Sequence, residues 1–190
     1  MFLEDGAGKS FLAKVDDNQR LFVRSIGQTE SQNAVDKGDS FSISTGTINY
    51  TATGTLLYIK NNEDRPLVID RVLIGIKAAT VSEMPEIVAY RNPTSGDLIS
   101  DATAVSSNEN RNFGSNKTLS ADVYKGKSGG TVVGDSIILV YQNPQSFIPY
   151  TLDIVLPKGA SFAIEIVPNL SSGSLDCTVS ALCHLNGENE

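Results

Sequence analysis

The strongest constraint on the fold is an alternation of apolar and polar residues near the end of the chain. In LDCTVSALCHL, residues 175–185, every odd-numbered residue is apolar, whereas Asp176, Thr178, Ser180 and His184 lie between them. A period of two is typical of a β-strand with one buried face, because successive side chains point to opposite sides. We therefore predict a strand whose odd-numbered residues enter a core.

Similar segments recur along most of the chain. They are short, rich in β-branched and aromatic residues, and separated by Asn, Asp, Gly and Pro. The segments are RLFVRSI, SFSIS, TLLYIK, PLVIDRVLIGIK, EIVAYR, TLSADVY, SIILVYQ, TLDIVLP and ASFAIEIVP. No segment has the pattern of an amphipathic helix of about twelve residues or more. The sequence thus predicts an all-β fold, an antiparallel β-sandwich of jelly-roll type with an extended N-terminal arm.

Two turn signals predict β-hairpins within this sandwich. Pro157-Lys158-Gly159 separates TLDIVLP from ASFAIEIVP, and residues 61–66, NNEDRP, separate TLLYIK from PLVIDRVLIGIK. Residues 91–118 are the longest polar stretch and are predicted to be a surface excursion.

The chain of 190 residues is long enough for one ordinary domain, which we assign to residues 39–190. Residues 1–38 form the predicted arm, with a short strand in RLFVRSI and a linker in GQTESQNAVDKGD. The arm carries apolar side chains in a polar, Gly-containing context, and such a segment is either disordered or docked on a partner. The candidate contact residues of the arm are Phe2, Leu3, Phe11, Leu12, Leu21 and Phe22. Leu21 and Phe22 could equally belong to the core.

Charge and hydropathy argue against several classes of function. The formal charge is −7 and the pI is about 4.7, opposite in sign to a nucleic-acid-binding surface. Residues 128–190 alone carry six acidic residues against Lys158, which predicts an acidic outer face. We find neither an apolar run long enough to cross a bilayer nor a secretory signal pattern, so we expect a protein made and folded in a cytoplasm. Cys177 and Cys183, about 20 Å apart on one extended strand, are expected to be reduced, buried thiols.

Motifs for chemistry are weak. Gly6-Ala7-Gly8-Lys9-Ser10 lacks the spacing and the preceding strand of a phosphate-binding loop. Residues 126–130, GKSGG, fit the G-x-S-x-G pattern of a nucleophile elbow, but TVVG follows where a helix is needed, and His184 would have to be the base. Asp16-Asp17-Asn18 could bind calcium or form a turn. We predict no enzyme, no catalytic residue, no metal site and no cofactor.

Sugar binding is an open alternative, because β-sandwiches often present a sheet face or loops to ligands. The chain has no Trp, and its six tyrosines would have to form the platform. Their other expected role is packing at the edge of the core with the hydroxyl at the rim.

Two segments resemble small structural proteins of tailed bacteriophages: KVDDNQRLFVRSIGQTESQNAVDKGDSFSIS near the start, and LPKGASFAIEIVPNLSSGSLDCTVSAL near the end. The resemblance covers about a third of the chain and implies a capsid decoration (cement) protein, a jelly-roll-type homotrimer on the outer shell of the virion. Its partners would be the major capsid protein and copies of itself. Fibre and head-fibre proteins of phages share this composition, so a receptor-binding adhesin that recognises a host-surface glycan is the alternative.

Overall fold

The alternating segments form the strands of a two-layer antiparallel sandwich in the computed structural model of the chain, which confirms the all-β prediction. The structure describes residues 2–4, 12–14, 29–78, 84–94, 103–105, 108–126, 132–170 and 172–187. The strands are β1 (Phe2–Glu4), β2 (Leu12–Lys14), β3 (Ser40–Tyr50), β4 (Gly54–Asn61), β5 (Leu67–Ala78), β6 (Glu86–Arg91), β7 (Thr103–Ala104), β8 (Asn108–Asn110), β9 (Ala121–Lys125), β10 (Asp135–Tyr141), β11 (Ser146–Leu156), β12 (Ser161–Val167) and β13 (Leu175–Leu185). The helix is α1 (Glu30–Lys37).

The strands form two large sheets and one small pair. The five-stranded sheet has the order β11-β5-β13-β3-β8, and the six-stranded sheet has the order β10-β6-β12-β4-β9-β7. β1 and β2 pair only with each other, Phe2 opposite Lys14 and Leu3 opposite Ala13. The predicted strand RLFVRSI lies outside the described residues, so the extended arm and the jelly-roll connectivity stay predictions.

The core lies between the inner faces of the two large sheets. In β13 the odd-numbered residues Leu175 to Leu185 are buried in this core, as their spacing predicts. Central strands of the six-stranded sheet are buried on both faces, which is why β4 and β12 alternate less clearly in sequence.

The two predicted hairpins are wrong, because each turn carries the chain from one sheet to the other. Pro157-Lys158-Gly159 joins β11 of the five-stranded sheet to β12 of the six-stranded sheet, and residues 61–66 join β4 to β5. The fully buried Asn61 binds these two crossings together: its amide donates to the carbonyls of Leu156 and Arg65, both at 2.9 Å. A turn signal shows that the chain reverses but not which sheet the next strand joins.

Most of the predicted linker is helical. Thr29 and Gln32 form a reciprocal capping box at the start of α1, and Gly38 ends the helix with a left-handed φ of 73°. The helix packs on the outer face of the five-stranded sheet, against β3 and β13, and buries Ala34. The helix has eight residues, so it is shorter than the amphipathic helices of about twelve residues or more that the sequence pattern argues against.

Part of the polar stretch 91–118 extends the two sheets. β7 pairs with β9, and β8 pairs with β3, so each large sheet ends on this side in a strand of two or three residues. The predicted surface excursion therefore also forms one lateral edge of the sandwich.

Candidate interaction surface

The predicted contact residues of the arm are only partly within the described residues. Phe2 and Leu3 lie in β1, and Leu12 lies in β2 opposite Glu4. Phe11, Leu21 and Phe22 lie outside the described residues. The backbone pairing brings three of the six candidates onto one hairpin, and their role in docking stays a prediction.

A second apolar surface is found at one lateral edge of the sandwich, where β10 and β11 are the last strands of their sheets. Large apolar side chains on these strands are 45 to 62% exposed, whereas their immediate neighbours point into the core. We call this surface the lateral apolar band. It consists of Ile137, Leu139 and Tyr141 on β10, the β10 half, and Phe147 and Val155 on β11, the β11 half.

The interior beside the band is also incompletely covered. Ile138 and Val140 of β10 and Tyr150 and Leu152 of β11 are only half-buried, and they line a cavity of about 20 Å³ between the sheets. All the residues that line it are apolar or aromatic. Because both strands line one cavity, they lie on the same side of the sandwich, and the band wraps round that side.

Gln142 fixes the turn between β10 and β11. Its buried side-chain amide donates to the Ile74 carbonyl at 3.0 Å and to the Ser146 hydroxyl at 3.1 Å. The Tyr150 hydroxyl donates to the Gln142 side-chain oxygen at 3.2 Å. The two halves of the band are therefore held in fixed relative positions before any partner binds.

The opposite lateral edge is closed by polar contacts. Asn110 of β8 donates to the carbonyls of Gly38 at 2.7 Å and Lys117 at 3.0 Å, and the Asn112 amide donates to the Asp36 carbonyl at 3.1 Å. On this side Lys125 of β9 reaches across to a carbonyl of β3. Short strands and polar side chains are common means of protecting a sheet edge.

An ion-pair cluster lies near the end of α1. The buried carboxylate of Asp39 accepts hydrogen bonds from Arg65 at 2.9 Å and Lys117 at 2.7 Å, and Arg65 also donates to the carbonyls of Leu185 and Asn186. Burial alone would raise the pKa of Asp39, but the hydrogen bonds and charges of Lys117 and Arg65 outweigh it and lower the pKa. The buried Asp39 carboxylate is paired with both cations, and Arg65 also binds the backbone at the end of β13, which gives the cluster a structural role.

A buried carboxylate and three tyrosines occupy the outer face of the six-stranded sheet. Tyr58 and Tyr124 lie 6.0 Å apart between ring centroids, and Tyr90 packs on the same group around Val132. Glu165 accepts hydrogen bonds from the Val132 N–H at 2.7 Å and the Tyr90 hydroxyl at 3.1 Å. Burial raises the pKa of Glu165 although both hydrogen bonds lower it. The sequence does not predict this cluster, because its members come from distant strands.

The only histidine lies under α1. His184 is 3% exposed, its Nδ1 lies 3.0 Å from an Asp70 carboxylate oxygen, and its Nε2 is buried without a hydrogen-bond partner. The helix residue Ser31 donates to the same carboxylate at 3.5 Å. This histidine serves the packing of the helix on the sheet.

The G-x-S-x-G pattern has another explanation at its first glycine. A Cβ on Gly126 would lie 1.3 Å from the Thr55 carbonyl oxygen, so β9 and β4 approach too closely there for any side chain. Ser128 itself lies outside the described residues. Its described neighbours Gly126 and Val132 contact the six-stranded sheet, whereas His184 lies on the outer face of the five-stranded sheet.

The cysteines are buried free thiols, as predicted, and burial raises the pKa of both Cys177 and Cys183 to about 12.

Among the described residues, no group of three or more His, Cys, Asp or Glu could hold a metal ion. Asp16-Asp17-Asn18, the calcium alternative, lies outside the described residues. No helix in the described part of the chain is long and apolar enough to span a membrane.

The sequence of β10 and β11 differs from simple alternation in a way that indicates the lateral apolar band. In SIILVYQ and SFIPYTLDIVL, both sets of alternate residues include large apolar side chains, whereas in LDCTVSALCHL one set is mostly polar. A strand that is apolar on both faces is either covered on both faces or exposes one.

Comparison with known proteins found no matching family model, no similar curated protein and no similar solved structure.

Proposed function

We propose that this chain is a non-enzymatic structural protein of a tailed-bacteriophage virion, which decorates the outer shell of the head and stabilises contacts between capsomers. The observation that carries the proposal is the lateral apolar band, because an exposed apolar surface of this size on a rigid sandwich is typical of assembly. The buried polar groups described above support a structural role, since Asp39 and Glu165 are engaged in fixing loops and strands.

The strand order supports a jelly roll, the fold that the phage resemblance implies. Successive long strands lie in different sheets, as in β3 and β4, β5 and β6, β10 and β11, and β12 and β13, except that β6 and β10 pair within the six-stranded sheet. This connectivity produces two interleaved four-stranded layers, to which β7, β8 and β9 are additions.

Decoration would act by linkage between binding and shell stability. A protein that binds assembled capsomers but not separated ones stabilises the shell in proportion to its binding free energy. In this proposal the arm residues Phe2, Leu3, Phe11 and Leu12 contact the major capsid protein, and the sandwich projects its acidic surface outward. The net charge of −7 keeps neighbouring decorating copies soluble and apart except where they bind.

The test is to mix the purified chain with capsids assembled without it and to measure occupancy by cryo-electron microscopy. We expect regular density at symmetry-related positions over the whole shell. A variant that lacks residues 1–19 should keep the circular dichroism spectrum of the sandwich and lose capsid binding. Bare capsids with the full-length chain would overturn the decoration role, and full occupancy with the truncated chain would overturn the docking of the arm.

A receptor-binding role is favoured by a different observation, the cluster of Tyr58, Tyr90 and Tyr124 on the outer face of the six-stranded sheet. Tyr90 and Tyr124 are partly exposed and could stack on sugars, whereas the buried Tyr58 supports the ring of Tyr124 from below. A glycan array would test this alternative. The alternative is supported if Tyr124→Ala abolishes glycan binding while Phe113→Ala leaves it intact. Phe113 is 96% exposed in the segment after β8.

A further inference from the structure

The two lateral edges of the sandwich are built differently. One edge ends in β7 and β8, which have two and three residues and are surrounded by polar contacts. The other ends in β10 and β11, which have seven and eleven residues and carry the lateral apolar band. Long apolar edges promote aggregation unless a partner covers them, so the closed edge and the open edge have different roles.

We propose that the lateral apolar band binds a second copy of this chain, with the β10 half of one copy packed against the β11 half of the next in a closed ring. This proposal deepens the proposed decoration role and rests on it only for where the oligomer acts, on the capsid. The interface itself is argued from the exposed residues of β10 and β11.

Charge identifies another copy as the occupant. Of residues 135–156, only Asp135 and Asp153 are charged, although the chain carries 22 acidic residues and a net charge of −7. Two copies therefore repel one another over most of their surfaces and least at the band. The neighbouring strands add charges of both signs, Arg71 opposite Thr151 and Glu86 opposite Tyr141, so the edge has no charge of a single sign for a basic or acidic partner, whereas an equally apolar band is complementary.

The geometry of the two halves favours a ring over a two-fold dimer. β10 belongs to the six-stranded sheet and β11 to the five-stranded sheet, and their exposed side chains point away from the core on opposite outer faces. One partner related by a two-fold axis would cover one half and leave the other exposed. When each copy contacts two neighbours, both halves are buried, and such head-to-tail contacts form a ring when the rotation from one copy to the next closes.

The backbone of β11 indicates that copies join through side chains and not by extending a sheet. Pro149 has no N–H to donate, and the pairing of β11 with β5 shifts between Thr151 and Ile154, where Asp153 has a left-handed φ of 48°. Proline, a bulge and an exposed charge on an edge all hinder the addition of another strand. Copies that meet at β11 are therefore expected to join through side chains rather than by a shared backbone ladder.

The exposed apolar area is shared between two contacts of each copy. Five large side chains exposed by 45 to 62% offer roughly 500 Å² of apolar surface, at the upper end for a monomer. Half-buried neighbours such as Ile138 and Tyr150 add to it when a partner closes the edge. In the ring, each contact joins the β10 half of one copy to the β11 half of the next, so this surface is divided between two contacts. Each contact is smaller than the standard area of about 800 Å² on each side, and closure of the ring gives every copy both contacts.

The first test is the molar mass of the full-length chain in solution, measured by light scattering during size-exclusion chromatography at tens of micromolar. With the predicted homotrimer, we expect about three times the monomer mass of 20.3 kDa. Leu139→Asp and Phe147→Asp, each in one half of the band, should both reduce the mass to that of the monomer. Phe113→Asp is the matched control, because Phe113 is 96% exposed on the opposite edge. It should leave the mass unchanged.

The second test asks which halves meet. Leu139→Cys and Phe147→Cys are purified separately, one with an affinity tag, and are then mixed and treated with a bismaleimide. The buried Cys177 and Cys183, whose pKa values burial raises to about 12, should not react in the folded chain, so the introduced thiols report the contact. Crosslinks between tagged and untagged chains support the ring. Crosslinks confined to identical variants would overturn it in favour of a two-fold contact.

These results separate the inference from the decoration role. A monomeric wild-type chain, or an unchanged mass in both band variants with a native circular dichroism spectrum, would overturn the interface even if the chain still decorates capsids. An intact oligomer that leaves capsids bare would overturn the decoration role and leave the interface in place.

Discussion

At the scale of single residues, the environment of a buried carboxyl decides whether its charge stabilises the fold. The pKa of Asp39 is lowered because the hydrogen bonds from Lys117 and Arg65 outweigh burial. Its charge therefore contributes stability above its ordinary pKa of 3.8, and that contribution disappears as the pH falls through the lower folded pKa.

We expect Asp39→Asn to lower the free energy of unfolding by about 2 to 3 kcal/mol at pH 7, because it leaves the largely buried Arg65 without its anion. The difference from wild type should shrink when urea denaturation is repeated below pH 3.8. Asp64→Asn removes the exposed ion pair with Lys158 and serves as the control, with no measurable change. Equal effects of the two substitutions would contradict the structural role of the cluster.

Glu165 has the opposite linkage. Burial raises its pKa above the ordinary 4.5, so the folded state prefers the protonated carboxyl. The stability that this group contributes is highest below pH 4.5 and falls as the pH rises from there through the folded pKa.

Glu165→Gln should therefore match wild type near pH 4 and exceed it in the free energy of unfolding at pH 7, since glutamine keeps an acceptor for the Val132 N–H and a partner for Tyr90. Glu165→Ala removes the acceptor of a buried N–H and should cost about 2 kcal/mol near pH 4 and less at pH 7, where wild type has lost part of the contribution of this group. Urea denaturation over this pH range measures both variants. A Gln variant less stable than wild type at pH 7 would show that the carboxylate itself stabilises the fold.

At the scale of elements, the sequence predicts strands better than their connections. Period-two alternation identifies β13 and β11 because their residues divide between a core face and another face. The same local signals cannot distinguish a hairpin from a crossing between sheets, because both need a tight reversal, and the distinction depends on distant contacts such as those of Asn61. The sequence analysis does not predict α1 for a different reason. Its capping residues Thr29 and Gln32 are recognisable in the sequence, but the helix has too few apolar residues to produce an amphipathic pattern.

A close approach of two strands is another property that only the fold reveals. Gly126→Ala should destabilise the chain by about 3 kcal/mol or more, because its Cβ would collide with the Thr55 carbonyl and force β9 away from β4. Gly114→Ala is the control, since its Cβ would meet only the Asn112 side chain at 3.4 Å. Thermal denaturation compares the two. Similar melting temperatures would show that β9 can shift freely.

At the scale of the whole molecule, the sequence predicts the arm as the interaction surface, whereas the structure shows exposed apolar residues on β10 and β11. Apolar residues in a polar segment are conspicuous, whereas those of β10 and β11 resemble ordinary strand residues until the sheet order places both strands at one edge. The exposed apolar residues of β10 and β11 are therefore not among the predicted contact residues, because their exposure depends on the position of each strand in its sheet.

The predicted division of the chain at residue 38 can be tested by truncation. Removing residues 1–28 should leave the melting temperature of the sandwich nearly unchanged, because Thr29 still caps α1. Removing residues 1–38 should lower it by roughly 5 to 10 °C, equivalent to about 2 to 3 kcal/mol, because the loss of α1 uncovers His184 and removes the contact of Ser31 with Asp70. Both truncations remove the arm, so only the helix distinguishes them. Equal melting temperatures would place the boundary at residue 38, whereas the expected difference makes α1 part of the sandwich and limits the separable arm to the residues before Thr29.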